Sequence, residues 1–322
     1  ASLDLQRWLP PRAAAAPSAA ATKPRQVFGT TPLGLDALPD LNGTLALHVQ
    51  RLLAPGLPPL ANVNLKIAAQ PGRLRADPLA FDIAGGNLTG SLQLAHAGSA
   101  PPHVVLRAQG TRMSVDELLR AAGSTGYASR GTLQLRADLS SSGNTPRALA
   151  AGANGELMLA VADTTLGRGA SPLGTDMLPK VLQALALNPD LKPSTRIECA
   201  VIRLPLRDGV ATIDRSIGLE TSQLAVAARG EVRLTDETLV LAFKPAPKGG
   251  LKVNPLDLAQ VVVLRGPWQD PKLQLDAQGV AGMAAQLGLA GASGGVSLIA
   301  QQLLQSRPET DACRVAMTGR SA

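Results

Sequence analysis

A chain of 322 residues that is 45% hydrophobic but only 2% aromatic has to bury itself with Leu, Val and Ala. Sugars and single-stranded nucleic acids are held by stacking on aromatic rings, so those ligands fit poorly, whereas an aliphatic surface suits hydrocarbon. The net charge of +7 raises the question of phosphate, but Arg75, Arg107, Arg136, Arg203, Arg233 and Arg265 are spread about one to a strand with no basic run; they read as solvated strand faces or as contacts to anionic headgroups at a membrane surface, and nucleic acid is not expected as a partner.

The chain begins at Ala1 with no charged-then-apolar leader and no N-terminal stretch long enough to span a bilayer, and it reads as a fragment of something longer. Residues 10–24, from Pro10-Pro11-Arg12-Ala13-Ala14-Ala15-Ala16-Pro17 to Pro24, form an Ala/Pro-rich linker that builds no core. The expected organisation is residues 1–40 as the end of a preceding region plus linker, 41–277 as one β domain, and 278–322 as a helical C-terminal tail.

Five pentapeptides share one pattern: Gly43-Thr44-Leu45-Ala46-Leu47, Gly90-Ser91-Leu92-Gln93-Leu94, Gly131-Thr132-Leu133-Gln134-Leu135, Gly155-Glu156-Leu157-Met158-Leu159 and Gly230-Glu231-Val232-Arg233-Leu234. Apolar side chains at every second position put one aliphatic face on a pleated strand and leave the other polar. Each copy is read as the opening of a strand. The glycines keep no fixed period, which excludes a propeller or solenoid and points to one long antiparallel sheet. Strands are expected near 43–50, 61–69, 78–84, 87–96, 103–110, 130–140, 154–163, 195–206, 210–214, 222–234, 237–244, 260–266 and 271–277.

Hairpin turns are expected at Asp40-Leu41-Asn42-Gly43, Gly85-Gly86-Asn87 and Asp208-Gly209, whose residues tolerate positive φ. The triplets Asn42-Gly43-Thr44 and Asn87-Leu88-Thr89 read as turns too, not as glycosylation sites. Helices interrupt the order. Ser114-Val115-Asp116-Glu117 is a capping box that starts one through Ala122, and the apolar spacing over 178–187 predicts another that stops at Asn188-Pro189.

In the tail, no charged residue lies between Asp276 and Arg307. That length raises the possibility of a membrane span, but Gly279, Gly282, Gly288, Gly291, Gly294 and Gly295 weaken a single helix, and Gln286, Gln301, Gln302 and Gln305 are polar at membrane depth. Two helical pieces are expected, about 280–290 and 296–306. They either cap the open end of the sheet or dip Val296, Leu298, Ile299, Leu303 and Leu304 into a bilayer surface.

Catalytic signals are weak. Gly291-Ala292-Ser293-Gly294-Gly295 matches a nucleophile elbow, but His48, His96 and His103 all lie upstream, against the order such enzymes use. The histidines have no zinc-ligand spacing, and no phosphate loop, dinucleotide pattern or carboxylate pair is present. No catalysis, metal or cofactor is expected.

The order of these elements resembles the C-terminal region of the AsmA-like proteins of Gram-negative bacteria. The likeness is carried by the hairpin run from Pro78-Leu79-Ala80-Phe81 through Gly85-Gly86-Asn87 to Gly90-Ser91-Leu92-Gln93-Leu94, by Gly155-Glu156-Leu157-Met158-Leu159, by the run from Cys199 through Arg229-Gly230-Glu231-Val232-Arg233-Leu234 to Pro245, and by Val263-Leu264-Arg265-Gly266-Pro267-Trp268-Gln269-Asp270-Pro271-Lys272-Leu273. It covers roughly residues 35–280. The resemblance implies an inner-membrane-anchored protein facing the periplasm, akin to chorein-type bridge proteins whose long β-groove carries lipid between membranes.

With that resemblance the fold is expected to be mainly β, a long, curved antiparallel sheet forming an aliphatic groove. The expected function is non-catalytic handling of phospholipid or other acyl chains in outer-membrane assembly. The groove would be lined by Leu45, Leu47, Val49, Leu65, Ile67, Leu92, Leu94, Val104, Leu106, Leu133, Leu135, Leu157, Leu159, Val161, Leu224, Val226, Leu239, Leu241, Leu273 and Leu275. The same alternation describes a sandwich with a dry core, so a structural or adaptor domain that binds an envelope protein partner remains the alternative. Periplasmic residence also implies a Cys199–Cys313 disulfide, with two free thiols as the other outcome.

Overall fold

The computed structural model describes residues 2–4, 26–35, 42–54, 57–96, 100–121, 128–166, 195–222, 224–248, 261–276 and 311–319. The expected helices over 178–187, 280–290 and 296–306, the Ser293 motif and the five membrane-docking residues Val296, Leu298, Ile299, Leu303 and Leu304 lie outside the described residues.

The described strands form one sheet. They are β1 (Ser2–Asp4), β2 (Gly43–Leu53), β3 (Leu60–Gln70), β4 (Arg73–Ile83), β5 (Gly86–Ala95), β6 (His103–Ser114), β7 (Ala128–Ser129), β8 (Thr132–Ser142), β9 (Asn154–Leu166), β10 (Thr195–Arg207), β11 (Val210–Thr221), β12 (Leu224–Arg233), β13 (Thr238–Pro247), β14 (Val261–Pro267) and β15 (Lys272–Asp276). From β2 onward each strand pairs antiparallel with the next, except that the short β7 pairs with β9. β1 runs parallel to the end of β2. The sheet is curved and open, with no pairing among the described residues that joins its two edges.

Every expected strand is present, and the differences have local causes. β4 begins at Arg73 rather than 78, because the chain passes through Pro78 within a register shift between Ala76 and Leu79. β11 continues past 214 to Thr221, because the charged pair Asp214-Arg215, which interrupts the apolar alternation, is absorbed in an irregularity with Arg215 at φ 56°. Glycine does not always open a strand as expected: Gly90 and Gly230 sit inside β5 and β12. A Cβ at Gly90 would overlap the Arg107 carbonyl oxygen, and one at Gly230 the Val240 carbonyl oxygen. Glycine there permits the close approach of a neighbouring strand.

The hairpin between β4 and β5 turns at Ala84 (φ 49°) and Gly85 (φ 72°), one residue earlier than Gly85-Gly86-Asn87 suggested, so Asn87 is a strand residue. Asp208 (φ 47°) and Gly209 (φ 70°) form the expected two-residue turn. Both pairs have the twin positive φ values that match the twist of antiparallel strands.

The described helices are short. In α1 (Val115–Ala121), Ser114 Oγ accepts from the Glu117 N–H at 3.3 Å, while the Ser114 N–H donates to Ala84 O, so only one half of the expected capping box forms. α2 (Pro146–Ala151) was not expected from the sequence. Its signals are nonetheless present: Thr145 as N-cap, with Oγ1 accepting from Ala148 N at 3.0 Å, Pro146 in the first turn and Gly152 at the end.

α3 (Ala312–Thr318) lies beyond both expected tail helices and packs on the polar side of β10–β12. Four of its residues, Ala312, Cys313, Val315 and Ala316, are buried, and they meet Val201, Ala225, Ala227 and Ala246 of the sheet. The approach is close enough that a Cβ on Gly218 would overlap the Ala312 carbonyl oxygen. Gly218→Val is therefore expected to cost about 1–3 kcal/mol and to speed amide exchange in α3. Unchanged exchange there would show that the helix does not depend on this contact.

Candidate functional site

The ladder register shows how the aliphatic side chains assemble. Residues paired across strands share a face, and one row runs Leu45, Ile67, Ala76, Leu92, Leu106, Leu139, Gly155, Leu206, Ala211, Val232, Leu239, Gly266 from β2 to β14. A second row on the same face runs Leu135, Leu159, Ile202, Ile217, Ala228, Phe243, Val262, Leu275. A third joins Met113, Leu133, Val161, Ala200, Leu219, Val226 and Pro245. Leu47 pairs with Leu65, Val49 with Val63, Leu94 with Val104, Leu157 with Leu204, Leu224 with Pro247, and Leu241 with Leu264, which in turn pairs with Leu273. All twenty residues singled out from the sequence thus occupy one face by register. Their face-mates Val63, Leu79, Leu88, Ile202 and Ile213 fall in expected strands with the same alternation, and Leu60 lies one residue before the expected start of its strand.

The face is not uniform along its length. From β2 to β10 most large side chains are half-buried and Leu45 and Ile202 are exposed, at 59% and 42% of full exposure, but Val49, Leu60, Val63, Ile83 and Met113 are buried as a smaller cluster, and Leu94 is buried as well. Over β11–β14 it becomes a packed cluster: Ala211, Ile213, Val226, Ala228, Leu241 and Val262 are buried, Ile213 at 2% and Val226 at 3% exposure. Leu239 and Leu224 pack against that cluster, half-buried. The arrangement is a partly accessible aliphatic strip, interrupted by that smaller buried cluster, that runs into a closed apolar core. Among the described residues no second sheet covers the strip.

The packed part is closed at the end of the sheet nearest α2. There, residues 26–35 cross between the segment that leads into α2 and the β12–β13 turn. Val27 and Phe28 N–H groups donate to the two Glu237 carboxylate oxygens, each at 2.6 Å. Arg147 N donates to Gly29 O, its guanidinium to Gln26 Oε1 and Phe28 O, and it lies 3.9 Å from the Glu237 carboxylate. Leu33 N and Leu35 N donate to Asn144 O and Oδ1. The Phe28 ring meets Trp268 edge-on at 5.7 Å, and Trp268 packs against the apolar cluster.

The opposite face carries the polar residues. By register it holds Arg75, Arg107, Arg136, Arg203, Arg233 and Arg265. Four are ion-paired, to Asp77, Asp138, Glu156 and Glu231 respectively for Arg75, Arg107, Arg203 and Arg233. Lys244, also on this face, is held below the ordinary lysine range by burial and by the neighbouring Arg229 guanidinium.

Cys199 of β10 and Cys313 of α3 are joined as a disulfide, with Cα atoms 6.4 Å apart. Glu220 beside them accepts from Cys313 N at 2.8 Å and from Lys248 Nζ at 2.6 Å. Burial opposes the charge on Lys248, but its hydrogen bonds to Glu220 and Glu198 outweigh it and raise the ammonium above its ordinary range. Cys199, Cys313 and Glu220 are also the group at metal-ligating range among the described residues, and their atoms are committed to these bonds. His103 Nδ1 contacts Ser142 Oγ at 3.0 Å, and the described histidines belong to no such cluster. No helix among the described residues is long and apolar enough to cross a membrane.

The comparisons with known proteins agree on one family. The AsmA family profile matches residues 10–215, ending in β11, partway through the 199–245 run that carried the longest stretch of the resemblance. An AsmA family protein of Escherichia coli (strain K12), YhjG, is 24% identical over 215 residues, which is 66% of this chain but only 30% of that relative's length. No solved structure matches. With well over half of the chain under the profile, and the aliphatic face of its curved sheet now described, the chain belongs to the AsmA family.

Proposed function

We propose that the chain is a non-catalytic, periplasmic lipid-handling module whose open aliphatic strip, from β2 to β10, shelters the acyl chains of phospholipid during transport toward the outer membrane. Membership of the AsmA family suggests an envelope-related role. The observation that carries the finer reading is the set of exposed or half-buried leucines and isoleucines, among them Leu45, Leu65, Ile67, Leu92, Leu135, Leu159 and Ile202, on a face with few polar side chains. Such a surface is costly in water unless something apolar covers it. A phospholipid has the complementary need, since exposing two acyl chains costs about 20 kcal/mol at roughly 0.8 kcal/mol per CH₂.

Photo-crosslinking groups at Leu92 and Leu135, with organic extraction and lipid mass spectrometry of the purified protein, test this directly. Lipid adducts are expected at both positions, and Leu92→Asp is expected to reduce adducts at Leu135 by tenfold or more while the protein stays folded. Absence of lipid from wild-type protein and of adducts at both positions would overturn the reading. The closed β11–β14 cluster favours a second reading for that part of the chain, a structural or adaptor domain that meets an envelope protein through the ion-paired polar residues Asp214, Arg229, Glu231 and Arg233.

A further inference from the structure

We infer that residues 26–35 are a releasable strap that shuts one end of the groove, with Glu237 as its latch. The strap is held at a small number of polar points. Glu237 is 4% exposed and sits at φ 56°, in a turn where an uncompensated carboxylate would be costly to bury. The Val27 and Phe28 amides satisfy both of its oxygens, and Arg147 supplies the counter-charge. Glu237 is therefore built to receive this backbone segment. Among the described residues the strap is further held by Arg147, to Gln26, Phe28 and Gly29, and by Asn144, to Leu33 and Leu35.

The strap also has little apolar hold. Val27 at 51% and Leu33 at 47% exposure remain largely in water, and Phe28 is the side chain that meets the core, through Trp268. Its N-terminal side leads toward the Ala/Pro-rich residues 10–24. With few apolar side chains buried, it belongs among the segments that open at a lower free energy than the packed strands. Docked, the strap makes the groove blind at Trp268; released, it uncovers the apolar cluster at that end and lengthens the path. This consequence for lipid rests on the proposed function, whereas the latch itself does not.

The test uses the full chain in a Trp8→Phe background, so that Trp268 is the remaining tryptophan. Amide exchange at Val27 and Phe28 is followed together with quenching of Trp268 by acrylamide and by phospholipid with brominated acyl chains. In wild type the two amides are expected to be protected, and Trp268 shielded from both quenchers. Glu237→Gln is expected to speed exchange of both amides at least tenfold and to open Trp268 to acrylamide, with bromolipid quenching following. Phe28→Ala, which leaves the buried carboxylate intact, should open Trp268 in the same way and serves if Glu237→Gln disturbs the fold. Unprotected Val27 and Phe28 amides in wild type, or Trp268 equally shielded in both variants, would overturn the strap. Failure of the lipid reading shows separately, as absent crosslinks at Leu92 in every variant. Bromolipid quenching of wild-type Trp268 would show that the end is already open and would also overturn the closure.

Discussion

Val226→Asp is expected to abolish cooperative folding, whereas Leu92→Asp leaves a cooperative transition in place. Both residues lie on the same face of the same sheet, so sequence pattern alone assigns them the same fate. Val226 is 3% exposed within the cluster formed with Ile213, Ala228, Leu241 and Val262, and a carboxylate there has neither water nor a cation. The effective penalty for burying an unpaired charge is several kcal/mol, comparable to the whole stability of about 5–15 kcal/mol typical of a domain. Leu92 is only half-buried, and an Asp at that position reaches solvent across the strip, at a cost of about 1 kcal/mol. Circular dichroism melts of the two variants decide the matter. If both unfold alike, the face is one closed core and the open strip does not exist; if both fold alike, the β11–β14 cluster is not packed as described.

Removing the disulfide should have the next largest effect. Cys199 and Cys313 are 114 residues apart in sequence, and on the chain-entropy account a bridge of that length contributes about 4–5 kcal/mol. For the Cys199→Ser, Cys313→Ser double variant that corresponds to a drop in Tm on the order of 5–10 °C. The loss should be concentrated at α3. Without the bond the helix keeps the Glu220 carboxylate on Cys313 N, the Arg203 hydrogen bond to Ala316 O and four buried side chains. It is only seven residues long, too short to persist without its seat on the sheet. Calorimetry of the oxidised, reduced and double-variant proteins checks this. Equal midpoints in all three would show that the bridge constrains neither the unfolded chain nor the helix.

The parts of the fold legible in the sequence were those set by local alternation. Leu133-Gln134-Leu135 and Leu157-Met158-Leu159 announce both the strand and its apolar face, because a period of two fixes which side chains emerge on which side. The misplacements are equally physical. Gly90 and Gly230 resemble strand openings, because a glycine ahead of an alternating run looks like a turn, but they answer to the backbone of the adjacent strand. The six residues of α2 carry too little periodicity to announce a helix, although Thr145, Pro146 and Gly152 mark its ends. α3 has no long-range signal in the sequence beyond Cys313, since what seats it is the smallness of Gly218, Ala225 and Ala227 on strands far away in the chain.

The sequence by itself determined the strand order, the segregation of aliphatic from polar faces and the likeness to the AsmA family, all of which are written in short-range pattern. Only the tertiary structure decided how that face divides into an accessible strip and a closed core. Leu92 and Val226 sit in the same kind of alternating strand, and their different burial depends on how the sheet curves and on what lies across its end. The same holds for Glu237. In the sequence it is one acid in a turn; in the fold it is a buried acceptor for the amides of Val27 and Phe28, 210 and 209 residues away. Alternation specifies a surface, but burial depends on the whole molecule, and no local pattern encodes it.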